Sequence, residues 1–449
     1  MTKIASYRLY RRILYPIQAF IQAEAFSGIL LIFITLIALI WANSAWSATY
    51  TDFWSTYFTV SFGDFSISKD LIHWINDGLM AIFFFVVGLE IKREITTGEL
   101  ASFKKASFPV MAALGGMLVP AMLYYFLNAG TPAVAGWGIP MATDIAFALG
   151  MVSLLGKRVP LSLKLFLVAF AIVDDIGAVL VIALFYTSEV NFLSLWVGFG
   201  VFGLLLVISS YNTRTIFVYL LLGVVMWVAF LLSGVHATIA GILLAITIPA
   251  RSSFTQEEFI SATDNILGEL HASHLAHSYP AVVSDPKEEE NDFQAAVYTI
   301  ETNCQEALSP LSRLEHSLHP WVAFAIMPIF ALANAGMLID ASLLDGFFNP
   351  LTAGIVVGLA IGKPVGIMAF AWLASVTGLA AKPSSFSWAQ VLGVALLGGI
   401  GFTMSIFIAN LAFDGTPELA TAKLAILVAS VLAAVAGLAL LWLAKPVDK

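Results

Sequence analysis

Charged side chains are what this sequence has least of. They make up 11% of its 449 residues, against roughly 25% in soluble globular chains. Hydrophobic residues reach 60% and the mean hydropathy is +0.92, which excludes water as the main solvent of the folded surface. Cysteine is nearly missing as well, and the lone Cys304 excludes an internal disulfide. The first 23 residues lack the short apolar core and small-residue cleavage site of a secretory leader, and carry Lys3, Arg8, Arg11 and Arg12 instead. There is no surplus of base either. The net charge is -8, and no nucleic-acid partner is expected. That acidity is local: residues 252–312 hold eleven acids and one base, Lys287.

What is abundant is the long apolar run. A span needs about 20 apolar residues, and the chain offers about twelve, near 25–43, 71–90, 106–128, 137–156, 161–187, 192–210, 214–232, 235–249, 320–338, 350–376, 387–412 and 420–444. Only a helix or a closed barrel satisfies its own backbone in lipid. Barrel strands would alternate in short stretches, which these runs do not. The expected fold is therefore all-α, a single polytopic domain over 1–449.

Lysine and arginine set the orientation. They gather in the N-terminal arm, at Lys92, Arg93, Lys104 and Lys105, at Lys157 and Arg158, and near the C-terminus. Both termini are expected on the cytoplasmic side. Three pieces lie outside the spans. Residues 1–24 read as an interfacial amphipathic helix. Residues 57–68 alternate around Gly63 and Asp64, which predicts an outer hairpin. Residues 252–312 read as an acidic cytoplasmic loop, solvated and partly disordered.

Ionisable groups inside spans are the most informative feature, because each costs at least about 2.5–3.5 kcal/mol to insert. Asp144, Asp174, Asp175 and Lys363 lie deep. Asp174 falls about 20 Å along a helix that starts at Leu161, near the midplane. Asp174 and Asp175 diverge by about 100° around that helix, so one can face a cavity and the other a partner. Such a pair can take up protons as well as hold a hard cation such as Na⁺. Lys363 is the only deep base and the natural partner for one aspartate. Two spans carry helix breakers at depth. One has Pro140, Thr143 and Asp144, and the other has Gly398, Gly399, Gly401 and Thr403. Broken helices leave orphan backbone groups with partial charges at their ends. Asp144 could serve N-termini there and Lys363 C-termini. Broken spans at corresponding positions of two halves are the mark of an inverted-repeat transporter. A membrane aspartyl protease would need two facing carboxylates and leaves Lys363 without a role. A sodium–solute symporter would need a further solute pocket.

These motifs resemble the NhaA-type sodium/proton antiporters over nearly the whole chain. The anchors are WINDGLMAIFFFVVGLEIKRE (74–94), PMATDIAFALG (140–150), AIVDDIGAV (171–179), SGVHATIAG (233–241), RLEHSLHPWVAF (313–324), FALANAG (330–336), IGKPVGI (361–367) and GIGFTMSIFIA (399–409). The resemblance implies inverted repeats with two interrupted crossing helices, and a transporter rather than an enzyme, working without a cofactor. It implies electrogenic exchange of Na⁺, and of Li⁺, for a larger number of protons, rising at alkaline pH. It makes Asp174 and Asp175 the cation ligands, with Asp175 the principal one, beside Thr143, Asp144 and Lys363. It implies a pH-responsive cytoplasmic cluster of Glu90, Arg93, Glu94, Glu315, His316 and His319, with His236 modulating the response. A homodimer joined partly through residues 57–68, and a place in a bacterial inner membrane, are also implied. The stretch 252–312 looks longer than the family's core pattern.

Overall fold

A computed structural model of the chain describes residues 24–98, 100–187, 190–252, 254–277, 286–341, 343 and 347–444. The N-terminal interfacial helix expected over 1–24 lies outside these residues except for Glu24, which opens the first helix. That helix, α1 (Glu24–Ala42), bends by 111° into α2 (Ser47–Trp54). The hairpin follows: β1 (Tyr57–Phe62) pairs antiparallel with β2 (Phe65–Asp70), Phe62 opposite Phe65. Its two-residue turn begins at Gly63, whose φ of +58° suits the first turn position of a type II′ hairpin.

The remaining elements are α3 (Leu71–Thr96), α4 (Phe103–Asn128), α5 (Pro132–Met141), α6 (Ile145–Leu154), α7 (Leu161–Phe185), α8 (Phe192–Ser210), α9 (Ile216–Ser233), α10 (Thr238–Thr247), α11 (Gln256–His277), α12 (Pro286–Ala307), α13 (Pro310–Asn334), α14 (Pro350–Val376), α15 (Trp388–Gly398), α16 (Phe402–Phe413) and α17 (Glu418–Leu443). Among the described residues, eight helices are long and apolar enough to cross a bilayer, and three bent pairs qualify when each is taken as one span. The outer helices leave large apolar side chains uncovered, such as Leu193, Trp196 and Phe217, as a lipid-facing surface requires. This is a polytopic all-α membrane protein.

Two of the expected spans differ. The run 235–249 is not an uninterrupted helix. Gly234 takes φ +79° and ends α9, and α10 has only ten helical residues, Thr238–Thr247, about 15 Å long. The span expected at 320 begins at Pro310, where the Ser309 side chain caps the helix. Leu311 and Leu314 continue its buried face despite Arg313 between them. The described residues of the stretch 252–312 are largely helical. They form two helices, α11 and α12, that pack on each other. Half-buried Phe259, Thr263, Ile266 and Leu270 on one helix, and Ala296, Ile300 and Ala307 on the other, fall at helical spacing. The excursion leaves and rejoins the bundle at one place, since Leu311 N donates to Pro249 O at 3.2 Å.

The helices that position the site form two triplets, each whole–broken–whole: α4, α5/α6, α7 and α14, α15/α16, α17. The broken pairs bend by 43° and 42°. The triplets run in opposite senses. Along α4 and α14, Gly115 lies against Gly366, Pro120 against Gly362, and Tyr124 against Gly354, so the helices are antiparallel. Asn128 Nδ2 completes the series by donating to Pro350 O at 3.1 Å. The approach is close because a Cβ on Gly366 would strike the backbone carbonyl of Gly115, so glycine lets the two backbones touch.

Candidate functional site

Each break has a local cause. Pro140 sits in the narrow-wound α5, and Ala142 leaves it with an extended backbone (ψ 148°) before Asp144 starts α6. The second break, Gly399–Gly401, presses onto α14. A side chain on Gly399 would meet Leu359 O, and one on Gly401 would meet Ser405 and Leu359. The breaks meet in the interior and run antiparallel. Ser405 Oγ donates to Ile139 O at 2.8 Å, Thr143 Oγ1 donates to Gly398 O at 2.9 Å, and Asp144 N donates to Ile400 O at 2.7 Å.

Asp144 serves two helix N-termini. Its Oδ1 accepts from Phe147 N at 2.9 Å, in its own helix α6. Its Oδ2 accepts from the Thr403 backbone N–H at 3.1 Å and from the Thr403 hydroxyl, in the first turn of α16. The orphan donors of both helices therefore converge on one carboxylate. The C-terminal ends are divided between two side chains. Lys363 Nζ donates to Met141 O, the last residue of α5, while the Thr143 hydroxyl serves Gly398, the last of α15.

Lys363 also donates to Asp174 Oδ2 at 2.7 Å, with both side chains wholly buried. Lys363 follows a π-turn, Gly358–Gly362. Pro364 explains the turn: it has no N–H to offer and crowds the preceding carbonyls, so the chain takes in one extra residue. Thr143 lies beside Asp174. Asp175, equally buried, is within electrostatic reach of Asp174, Glu90, Lys363 and Asp144. Asp174 and Asp175 each keep one buried carboxylate oxygen, Oδ1, without a hydrogen-bond donor among the described residues. Two desolvated acceptors without donors are suited to a cation or to protons, and bare burial would disfavour them.

The surface cluster is only partly assembled. Arg93 Nη1 donates to Glu315 Oε1, and Arg93 Nη2 donates to Glu94 Oε1 at 3.0 Å. His319 Nε2 lies 3.9 Å from Glu90 Oε1. His316 is exposed and joins none of these pairs among the described residues. His236 stands apart, in the break between α9 and α10, its ring edge-on to Phe407 at 6.4 Å. The sequence reading passed over a chain of amides. Asn410 Nδ2 donates to Asn334 Oδ1 at 2.6 Å, and Asn334 Nδ2 donates to Asn76 Oδ1 at 2.9 Å. Its signal was available: three asparagines inside otherwise apolar runs, where polar side chains bridge helices.

Oppositely directed triplets, with broken middle spans that meet around buried opposite charges, define an inverted-repeat membrane transporter. The chain belongs to the Na⁺/H⁺ antiporter 1 family, whose model matches residues 18–441. It is similar to "Na(+)/H(+) antiporter NhaA" of Oleidesulfovibrio alaskensis, 51% identical over 95% of this chain and 93% of that protein. It is likewise similar to "Na(+)/H(+) antiporter NhaA 2" of Syntrophotalea carbinolica, 46% identical over 95% and 96%. The "Na(+)/H(+) antiporter NhaA" of Koribacter versatilis is 47% identical over 95% and 91%.

Proposed function

We propose that this chain is a secondary transporter that expels Na⁺, and Li⁺, from a bacterial cell in exchange for protons. One observation carries the reading: Asp174 and Asp175 lie buried beside Lys363 where two broken helices meet, each with a carboxylate oxygen open for a ligand. Asp175 is the principal cation ligand. Asp174 joins it when Lys363 lets go, and Thr143 flanks the pair. Asp144 holds the two helix N-termini together, and Gly399, Gly401 and Thr403 form the facing break. Protons and Na⁺ compete for the same carboxylates, so one cannot be held without releasing the other. Two carboxylates that discharge protons for one Na⁺ move net charge, which makes the exchange electrogenic.

Glu90 supports a link to regulation. It shares helix α3 with Arg93 and Glu94, pairs with His319 on α13, and lies within electrostatic reach of Asp175. We assign the response to pH to Glu90, Arg93, Glu94, Glu315 and His319, with His316 and His236 as outlying members. The lysine and arginine bias supports cytoplasmic termini, and the bacterial relatives support an inner membrane. The two-stranded sheet has free edges, and Tyr57, Phe58 and Val60 are exposed on it. This supports pairing with a second copy through the hairpin. Sealed vesicles holding no organic solute give the test. A Na⁺ pulse should release protons in the native protein and none in Asp175→Asn. Solute-dependent Na⁺ uptake without proton movement would replace this reading with a symporter.

A further inference from the structure

The amide chain joins helices that belong to different parts of the architecture. Asn410 lies on α16, inside the second inverted triplet. Asn334 ends α13 and Asn76 lies on α3, and neither of these helices belongs to a triplet. The hydrogen bond from Asn410 Nδ2 to Asn334 Oδ1, at 2.6 Å, therefore crosses from the six helices that carry Asp174, Asp175 and Lys363 to the helices around them. Asn334 is fully buried. Its amide is fully committed, since Nδ2 donates to Asn76 Oδ1 and to Phe330 O at 3.1 Å while Oδ1 accepts from Asn410. Beside it the boundary is largely aromatic, with His236 edge-on to Phe407. Phe407, one turn before Asn410, meets Phe84 of α3 and Phe330 of α13. Rings can slide past one another at little directional cost. The amide pair cannot, because parting leaves the buried acceptor of Asn334 unsatisfied.

Alternating access in inverted-repeat transporters is largely a rocking of one group of helices against another around a fixed site. We propose that the Asn334–Asn410 pair is a latch across that moving boundary: it holds the protein in the access state seen here and must open in each transport cycle. This rests on the exchange reading above. Asn410 is thereby a positioning residue for the cycle. It touches neither Asp174 nor Asp175, and its effect falls on the balance between the two access states rather than on the cation site.

The test is a double-mutant cycle on Asn334→Ala, Asn410→Ala and the pair together, in proteoliposomes. Two quantities are read: Na⁺ binding to the purified protein, and the ratio of apparent Na⁺ affinities measured from the two membrane faces. A latch predicts unchanged binding in detergent to within a factor of two. It also predicts a shift in the ratio of roughly fivefold, the worth of one ordinary hydrogen bond. The shift should be the same in both single variants and in the double. Multiplying effects, or a ratio equal to the native one in properly folded variants, would overturn the latch. Asn410→Gln, which keeps the amide, should lie between native and alanine. A native protein that releases no protons on a Na⁺ pulse would instead overturn the exchange reading. The two failures are therefore distinguishable.

Discussion

The Asp144 carboxylate reaches across from the first triplet to Thr403 in the second, accepting from its backbone N–H at 3.1 Å and from its hydroxyl. One side chain thus closes two helix N-termini that are 258 positions apart in sequence as counted from Ile145 to Thr403. Asp144→Ala should lower stability by about 2 kcal/mol, the scale of a lost N-cap, and Asp144→Asn by less, because an amide oxygen still accepts. Thermal unfolding in detergent measures both. An alanine variant as stable as the native protein would show that the two ends do not need the carboxylate.

Asp175→Asn should abolish Na⁺-dependent proton release, since an amide neither titrates nor offers a charged ligand. Asp174→Asn should impair it severely. Both variants should still insert, because removing a deep charge eases insertion. Proton release in everted vesicles, set against membrane yield, separates lost transport from lost protein. Normal release from the Asp175 variant would sink the proposed chemistry.

Lys363→Ala leaves Asp174 buried without its cation and Met141 O without its donor. Removing one partner of a buried pair costs roughly 3–5 kcal/mol. The variant should therefore melt well below the native protein, and Lys363→Arg, which keeps the charge, should melt closer to it. Equal melting of all three would show that the ion pair contributes nothing to the fold.

Gly366→Leu should separate α14 from α4, because the new side chain has only the Gly115 backbone and Val119 to enter. Overpacking of this kind costs about 1–3 kcal/mol. Gly268, with open space around it on α11, serves as the control. Gly268→Ala should leave exchange unchanged and should not lower melting, since alanine favours the helix.

Replacing residues 256–307 with a short neutral linker should leave maximal exchange intact. Leu311 N and Pro249 O already lie within hydrogen-bond reach, so the bundle closes without the acidic helices. Exchange by the shortened protein at low and high ionic strength is the measurement. Loss of exchange from a folded variant would make the two helices part of the transport machinery.

The spans were legible because lipid imposes one rule on every residue in them. The reading of 192–210 and 350–376 meets α8 and α14 at both ends. It failed where a different force decides. At Pro310–Trp321 the polar Arg313, Glu315 and His316 hid a helix whose buried face continues through Leu311 and Leu314. At 256–307 the seam between α11 and α12 is narrow and mixed with Thr263 and alanines, too thin to stand out from the acids around it. Within the site, the residue types and their depth were legible in Asp174, Asp175 and Lys363. The division of labour was not: Thr143 takes the second C-terminal carbonyl, because only the folded chain shows which donor is nearest.

The antiparallel course of the two breaks has an electrical consequence. Peptide dipoles along α5/α6 and α15/α16 point in opposite directions, so their components along the membrane normal cancel. A transmembrane voltage then exerts almost no net force on this backbone. It acts on whole charges instead, at about 2.3 kcal/mol per elementary charge per 100 mV. The whole charges at this level are Asp144, Asp174, Asp175 and Lys363, so a voltage pulls on these side chains while the crossed backbone that holds them stays electrically balanced.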